Sequence, residues 1–288
     1  MDLCNINVIK DLLQRHGFKF SKSLGQNFLT AQWVPERIAA ESFVDKDSCV
    51  LEIGPGIGCL TKELSKVAGK VCAVELDKRL PNVLKESLAE CENVSVISGD
   101  IMKTDIERLI EEEFSGLTPR VCANLPYNIT TPVLTKLIES ARFESITVMI
   151  QREVARRICA KPGTGDYGAF TVFVNYYTKP SLLFDVSPGC FIPQPKVVST
   201  VIRLEKRPAP AIKVSDEKLF FRTVRGAFAQ RRKTLINSLA SAFSEIPKES
   251  LTWAMEEAGL DLKIRGEALS LSDFAILSDK IGGIIHEA

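Results

Sequence analysis

Histidine is nearly absent from this chain. Of 288 residues only His16 and His286 carry an imidazole, and they stand near opposite ends. Two rings so placed argue against a Ser-His-Asp hydrolase and against a histidine-rich metal centre. Long apolar runs are also missing, and nothing approaches the ~20 residues needed to cross a bilayer as a helix. The first residues, Met1 to Asn5, lack the basic start and apolar core of a secretory signal. The expectation is a cytoplasmic protein without a membrane partner. Eight cysteines are present, at 4, 49, 59, 72, 91, 122, 159 and 190, but no two are spaced C-x-x-C. A zinc ribbon, a redox pair and a disulfide framework are therefore not expected. Several of these cysteines fall in predicted strands, where a free thiol packs as a small apolar side chain.

A strong net charge is lacking as well. The total is +1, which by itself points to no polyanion. The distribution is uneven: Phe191 to Phe243 holds eleven Lys/Arg against three Asp/Glu, and Ser244 to Ala288 holds four against nine. A basic stretch is hidden within a neutral sum.

What is present is an ordinary share of apolar residues, 45%, in a pattern that alternates strand and helix. Ile6, Ile9, Leu12 and Leu13 predict one face of a helix over 5–17. A polar arm, Lys19 to Asn27, and a second helix over 33–43 follow. Strands are predicted at 49–53, 71–75, 94–97, 120–123 and 146–150, and helices at 58–68, 78–90, 104–113 and 131–141. Near-continuous apolar strands separated by helices mean a parallel sheet covered on both faces. Segments 169–177, 182–186 and 197–204 read as strands without long helices between them, forming an antiparallel edge. Glu205 to Pro210 reads as a Pro-rich linker. Helices are expected after it, at 216–230, 233–243, 247–258 and 270–280. The division expected is an α/β domain over 1–207 with an N-terminal helical arm, and a small all-helical domain over 208–288.

Ligands of such sheets lie beyond the carboxyl ends of the strands. Gly54, Glu75, Asp100 and Asn124 each follow one of four successive strands. Glu52-Ile53-Gly54-Pro55-Gly56-Ile57-Gly58 departs from the dinucleotide G-x-G-x-x-G pattern. Gly54 and Gly56 suit a cofactor that approaches the backbone without a pyrophosphate, such as S-adenosylmethionine. Glu75 is placed to accept both ribose hydroxyls, and Asp100 the adenine amino group. Asn124-Leu125-Pro126-Tyr127 offers acceptors and an aromatic face to a planar amine. The Asn124 side-chain oxygen and the Leu125 carbonyl take its two N–H groups, Pro126 stiffens the turn, and Tyr127 stacks on the base. The plainer alternative is a packing turn after one strand and a polar turn after another. No role is assigned to Cys59, and no metal is expected.

Lys22-Ser23-Leu24-Gly25-Gln26-Asn27-Phe28-Leu29, the glycine loop, Asn124 to Asn128, and Phe191-Ile192-Pro193-Gln194-Pro195-Lys196-Val197 together resemble the ribosomal RNA adenine dimethyltransferase family, in its bacterial small-subunit branch. The resemblance covers nearly the whole chain. It implies a class I, Rossmann-like methyltransferase domain followed by the helical domain. It also implies dimethylation of N6 of two adjacent adenines in the 3′-terminal hairpin loop of small-subunit (16S) rRNA, late in subunit assembly. Matched position by position, Asn27, Leu29, Gly54, Glu75, Asp100 and Asn124 contact the cofactor, and Ile101 lies beside its adenine. Asn124 to Tyr127 receive the target amine, and Phe191 sandwiches a flipped base against Tyr127. A loop rich in chain breakers around Phe191 argues for its exposure. Arg222, Arg225, Arg231, Arg232 and Lys233 are candidates for RNA phosphates, with 222, 225 and 232 near one helical face. Lys10, Arg15, Lys19 and Lys22 add a second patch. The glycine-rich loop 161–168 is expected to be mobile, and the enzyme to be a monomer. Two rivals stay open: a related large-subunit adenine methylase, and a non-catalytic assembly factor on the same scaffold.

Overall fold

A computed structural model describes residues 1–18 and 26–287. The expectations for Lys19, Lys22 and the rest of 19–25 lie outside the described residues. The chain divides into two compact units, Met1–Ala155 with Pro180–Lys206, and Arg156–Lys179 with Arg207–Ala288.

The first unit is built on a seven-stranded sheet. Its strands are β2 (Ser48–Ile53), β3 (Lys70–Glu75), β4 (Val94–Ser98), β5 (Thr118–Asn124), β6 (Ser145–Gln151), β7 (Thr178–Val186) and β9 (Ser199–Lys206). Their spatial order is β4-β3-β2-β5-β6-β9-β7. The pairs β4/β3, β3/β2, β2/β5 and β5/β6 are parallel, and β6/β9 is antiparallel. Every residue of β2 is buried, as a strand covered on both faces requires. Edge strand β4 is only half-buried. The order reverses beside β2, which has β3 on one side and β5 on the other. That switch point opens the crevice where ligands bind in such sheets.

Helix α1 (Ile6–Arg15) starts at Asn5, whose side chain accepts from the backbone N–H of Asn7 and Val8, satisfying donors that the first turn leaves free. It buries Ile9, Leu12 and Leu13, whereas Ile6, expected on the same face, is 46% exposed. Helix α2 (Trp33–Glu41) follows. Helices α3 (Cys59–Val67), α4 (Leu80–Ser87), α5 (Ile106–Glu113) and α6 (Thr130–Glu139) connect the parallel strands. A separate two-stranded sheet pairs β1 (Phe28–Leu29) antiparallel with β8 (Phe191–Ile192), Phe28 opposite Ile192 and Leu29 opposite Phe191. Nothing in the apolar periodicity announces this pair.

The second unit is helical, with α8 (Ala169–Tyr177), α9 (Glu217–Ala229), α10 (Leu235–Ala242), α11 (Lys248–Glu257) and α12 (Leu271–Glu287); α7 (Arg152–Ile158) leads into it. Three expectations are corrected here. Residues 169–177 are a helix, not a strand. Its first turn is closed by Thr171, whose Oγ1 accepts from Gly168 N–H at 3.1 Å. Val172 and Tyr176, one turn apart, are buried with Phe220 and Val224, and the Tyr176 ring lies 5.1 Å from that of Phe220. Tertiary burial overrides the strand preference of β-branched and aromatic residues. For the same reason residues 156–179, expected in the first domain, belong to the helical unit. The Pro-rich segment is also not a loose linker at its centre: Arg207 Nε donates to the carbonyls of Asn175 and Thr178 at 3.2 and 2.9 Å.

Candidate functional site: a cleft at the carboxyl edge of the parallel sheet

Beyond β2, β3, β4 and β5 lies a cleft of about 260 Å³. Asn27, Leu29, Gly54, Gly56, Glu75, Asp100, Ile101 and Asn124 to Tyr127 all line it. Strand order sets their sequence across the cleft: Asp100 after β4, Glu75 ending β3, the glycine loop after β2, and Asn124 ending β5.

The glycine loop has left-handed backbone at Gly54 and Gly56, φ +66° and +62°, a region that costs an L side chain strain. At Gly56 space is short too, since a Cβ there would meet the Phe28 ring at 3.1 Å. Phe28, held by the β1/β8 pair, thus seats the loop from outside. Glu75 holds it from within: Oε1 accepts from Asp77 N–H at 2.7 Å and Oε2 from Gly56 N–H at 3.4 Å. Burial pushes the Glu75 carboxyl above its ordinary pKa, opposed by these backbone donors. Asp77 in turn accepts from Gln26 Nε2 at 2.8 Å and pairs with Arg79, and that guanidinium holds its carboxyl down at about 2. Asp100 turns the chain after β4, with Oδ1 accepting from Met102 N–H at 2.9 Å.

At the other end, Asn124 Nδ2 donates to the Asn27 carbonyl at 3.4 Å. Leu125 N–H is taken by Met149 and the Pro126 carbonyl by Ile129 N–H. Among the described residues this leaves Asn124 Oδ1 and the Leu125 carbonyl without a protein donor. Tyr127 is anchored at its hydroxyl, 2.7 Å from Ser199 Oγ, and burial raises its pKa. Two acceptors and a fixed ring at the end of a strand are what a planar amine on an aromatic base requires.

Phe191 is not in this wall. It is 3% exposed and packs in the apolar cluster with Phe28 and Leu29, so its expected exposure is corrected. The breakers around it shape a short strand that pairs with Leu29, and pairing buries the ring. Sequence reasoning gave no role to Gln26, Phe28 or Glu52, which also line the cleft. Glu52 stood in plain view at the head of the glycine motif.

The basic candidates lie in the second unit and divide into two kinds. Arg222 is committed to its own fold: Nη2 donates to the Ala242 carbonyl, pairs with Glu245 at 2.6 Å, and the guanidinium lies 4.2 Å over the Phe243 ring. Arg231 Nη2 donates to the carbonyls of Gly165 and Tyr167 at 2.7 and 2.9 Å. Arg225, Arg232 and Lys233 are exposed and form no ion pair among the described residues. Helix α9 ends at Ala229, so Arg232 lies in the turn before α10 and not on a helical face with 222 and 225. The 161–168 loop, expected to be mobile, is docked. Besides Arg231 it is held by Gly163 N–H donating to the Glu267 carbonyl at 2.7 Å, and by Tyr167, 3% exposed and edge-on to Phe228.

All eight cysteines are free thiols, and burial pushes those of Cys49 and Cys122 up to about 12. Cys59, in the cleft wall, donates to the Leu3 carbonyl at 2.9 Å. Among the described residues no group of acidic, His or Cys side chains is arranged to hold a metal, and no helix is long and apolar enough to cross a membrane.

The family model for ribosomal RNA adenine dimethylase matches residues 17–280. The chain belongs to this family. It is 45% identical over 273 residues to the ribosomal RNA small subunit methyltransferase A of Alkaliphilus oremlandii, covering 94% of this chain and 95% of that protein. Among solved structures it resembles a dimethyladenosine transferase from Plasmodium falciparum (TM-score 0.74, 25% identity, 86% of this chain and 95% of that one). It also resembles the 23S rRNA methyltransferase ErmE (TM-score 0.69, 26% identity, 89% and 100%). As a dimethylase of this family the chain is an S-adenosylmethionine-dependent methyltransferase. The cleft fits that methyl donor: carboxylates stand at three strand ends, Gly56 leaves the backbone bare, and Glu52 keeps a buried, unpartnered oxygen beside the loop.

Proposed function

We propose that this enzyme dimethylates N6 of two adjacent adenines in the 3′-terminal hairpin loop of 16S rRNA, on the small ribosomal subunit late in its assembly, acting as a cytoplasmic monomer. The observation that carries the reading is the pair of open acceptors, Asn124 Oδ1 and the Leu125 carbonyl, at the end of β5 in the cleft that Glu75 and Asp100 share. The small-subunit target is supported by relatives that match nearly end to end, the small subunit methyltransferase A of Alkaliphilus oremlandii among them.

When bound, S-adenosylmethionine supplies a methyl already activated on a sulfonium. The chain's own residues have positioning to do. Glu75 holds the ribose, and Asp100, with Ile101 beside it, the adenine. Gly54 and Gly56 pass close to the remainder, flanked by Asn27 and Leu29. Asn124 Oδ1, oriented by its amide bond to Asn27, and the Leu125 carbonyl accept the two N–H groups of the target amine. That arrangement draws the nitrogen toward a tetrahedral shape and turns its lone pair to the methyl. Pro126 fixes the turn, and Tyr127 stacks on the base that has left its helix. Phe191, buried and paired opposite Leu29, supports the wall. Transfer is direct, without a covalent enzyme intermediate. RNA phosphates fall to Arg225, Arg232 and Lys233, while Arg222 and Arg231 hold the fold that displays them. The domain division we propose is functional: the first unit carries the chemistry and the helical unit grips RNA.

The test is transfer from labelled cofactor to undermethylated small subunits, with mapping of the labelled bases. Two adjacent dimethylated adenines near the RNA 3′ end are expected, and label on large-subunit RNA would reassign the substrate. Asn124→Ala should slow single-turnover transfer by about 100-fold or more, the scale of losing one aimed electrostatic group. Near-normal transfer by that variant would remove Asn124 from the amine site.

A further inference from the structure

Ser199 is tied to the wall of the cleft without lining it. It is the first residue of β9, is fully buried, and stands opposite Gln151 at the end of β6. The chain is fixed just before it as well, where the Val198 carbonyl accepts from Arg152 N–H at 3.0 Å. Among the described residues its Oγ has a single hydrogen-bond partner, the Tyr127 hydroxyl at 2.7 Å. Burial pushes that phenol above its ordinary pKa, so it stays a neutral hydroxyl able to donate or accept in the bond.

The strand order says where this tie runs. Tyr127 follows β5, Ser199 opens β9, and β6 lies between those strands. The Tyr127 side chain therefore reaches over the end of β6, away from the side of Asn124 on which Glu75 and Asp100 stand. Its ring is held from the far edge of the sheet, by a strand that carries no cofactor-contacting residue.

Dimethylation makes two different demands on one amine. In each transfer the nitrogen lone pair forms the new N–C bond, the C–S bond of the sulfonium breaks with its electron pair left on sulfur, and one N–H proton passes to solvent. The first transfer starts from two N–H groups, one for Asn124 Oδ1 and one for the Leu125 carbonyl. The second starts from one N–H and a methyl, so one of the two acceptors loses its partner. Stacking on Tyr127 then carries more of the alignment. A ring locked by a rigid strand holds a stacked base in line better than a ring free to swing. We propose that Ser199 is a positioning residue for the second methylation, its bond to Tyr127 fixing the ring on which the monomethylated adenine is held. The proposal rests on the amine-site reading above and extends it from the first methyl to the second.

The experiment follows transfer to undermethylated small subunits, with the full-length enzyme and S-adenosylmethionine in excess, and counts N6-monomethyl- and N6,N6-dimethyladenosine over time after nuclease digestion. Ser199→Ala should slow the second transfer about fivefold more than the first, the rate equivalent of one hydrogen bond, so that monomethyladenosine accumulates. Tyr127→Phe, which removes the other end of the tie, should give the same imbalance, and the double variant should be no worse than either single one. Affinity for S-adenosylhomocysteine, measured by calorimetry, should be unchanged in all three. A wild-type ratio of the two products in Ser199→Ala and Tyr127→Phe, or defects that multiply in the double variant, overturns the proposal while leaving the amine site intact. Tyr127→Phe decides the matter if Ser199→Ala folds poorly. Failure of the wild type to dimethylate these subunits would instead strike at the proposed function itself.

Discussion

At the scale of single residues, the cleft concentrates buried acid, and that has a consequence in the absence of any ligand. Glu52 has its pKa raised to about 8, first by burial and then by Glu75, against an ordinary value of 4.5. A carboxyl raised on folding binds its proton more tightly in the native state. Between pH 4.5 and 8 the unfolded chain loses that proton while the native chain retains it. Native stability therefore falls as pH rises through this window, by roughly 4–5 kcal/mol if the whole shift is realised. Glu75 is shifted in the same direction and for the same leading cause. Glu52→Gln keeps the shape and removes the proton. In urea denaturation without ligand, the variant should lose less stability than wild type between pH 5 and pH 8 and be the more stable of the two at pH 8. Parallel pH profiles for the two proteins would mean that Glu52 is already ionised in the native state.

At the scale of elements, Arg231 and Arg232 are neighbours in sequence with opposite duties. Arg231 joins the turn after α9 to the 161–168 loop through two carbonyls and stands 3.8 Å from Glu267. Arg232 has no such role. Arg231→Ala should cost about 1.5–3 kcal/mol, the range for hydrogen bonds from a charged donor, and expose the loop to limited proteolysis. Arg232→Ala should stay within about 0.5 kcal/mol of wild type. Denaturation midpoints together with protease nicking within 161–168 check both; equal stability of the two variants would refute the division of labour. This contrast was not legible in the sequence, where the two arginines read as one basic cluster. What was legible is governed by local rules. The parallel strands could be read because a strand covered on both faces must be apolar throughout, as β2 and β6 largely are. Gly54, Glu75, Asp100 and Asn124 could be read as one site because chain order and strand ends suffice to bring them together. What failed depended on partners far along the chain. The run Ala169 to Tyr177 has the composition of a strand, and only Phe220 and Val224 make it a helix. Phe191 was expected to be open because nothing nearby announces that Leu29 lies opposite it.

At the scale of the whole molecule, a chain with a net charge of +1 has to hold a polyanion at one site and shelter carboxylates at another. Under the proposed function the two demands are met by segregation along the chain. The carboxylates of the cleft lie at the ends of β2 to β4 in the first unit, and the exposed cations Arg225, Arg232 and Lys233 lie in the second. Affinity for RNA should therefore depend steeply on salt even though the total charge is near zero, because the response reports the phosphates neutralised locally and not the sum over the molecule. For every phosphate no longer neutralised, the slope of log K against log salt flattens by about 0.7–0.9. Combined replacement of Arg225, Arg232 and Lys233 by Ala should then flatten it by about 2–3, while leaving the affinity for S-adenosylhomocysteine unchanged, since none of the three lines the cleft. Binding of an rRNA fragment containing the 3′-terminal hairpin, measured from low to moderate salt, gives the slope directly. An unchanged slope would move the phosphate-binding surface off this turn, with Lys10 and Arg15 on α1 the next to replace. Loss of cofactor affinity in the same variant would show that the two charge regions are coupled and not separate.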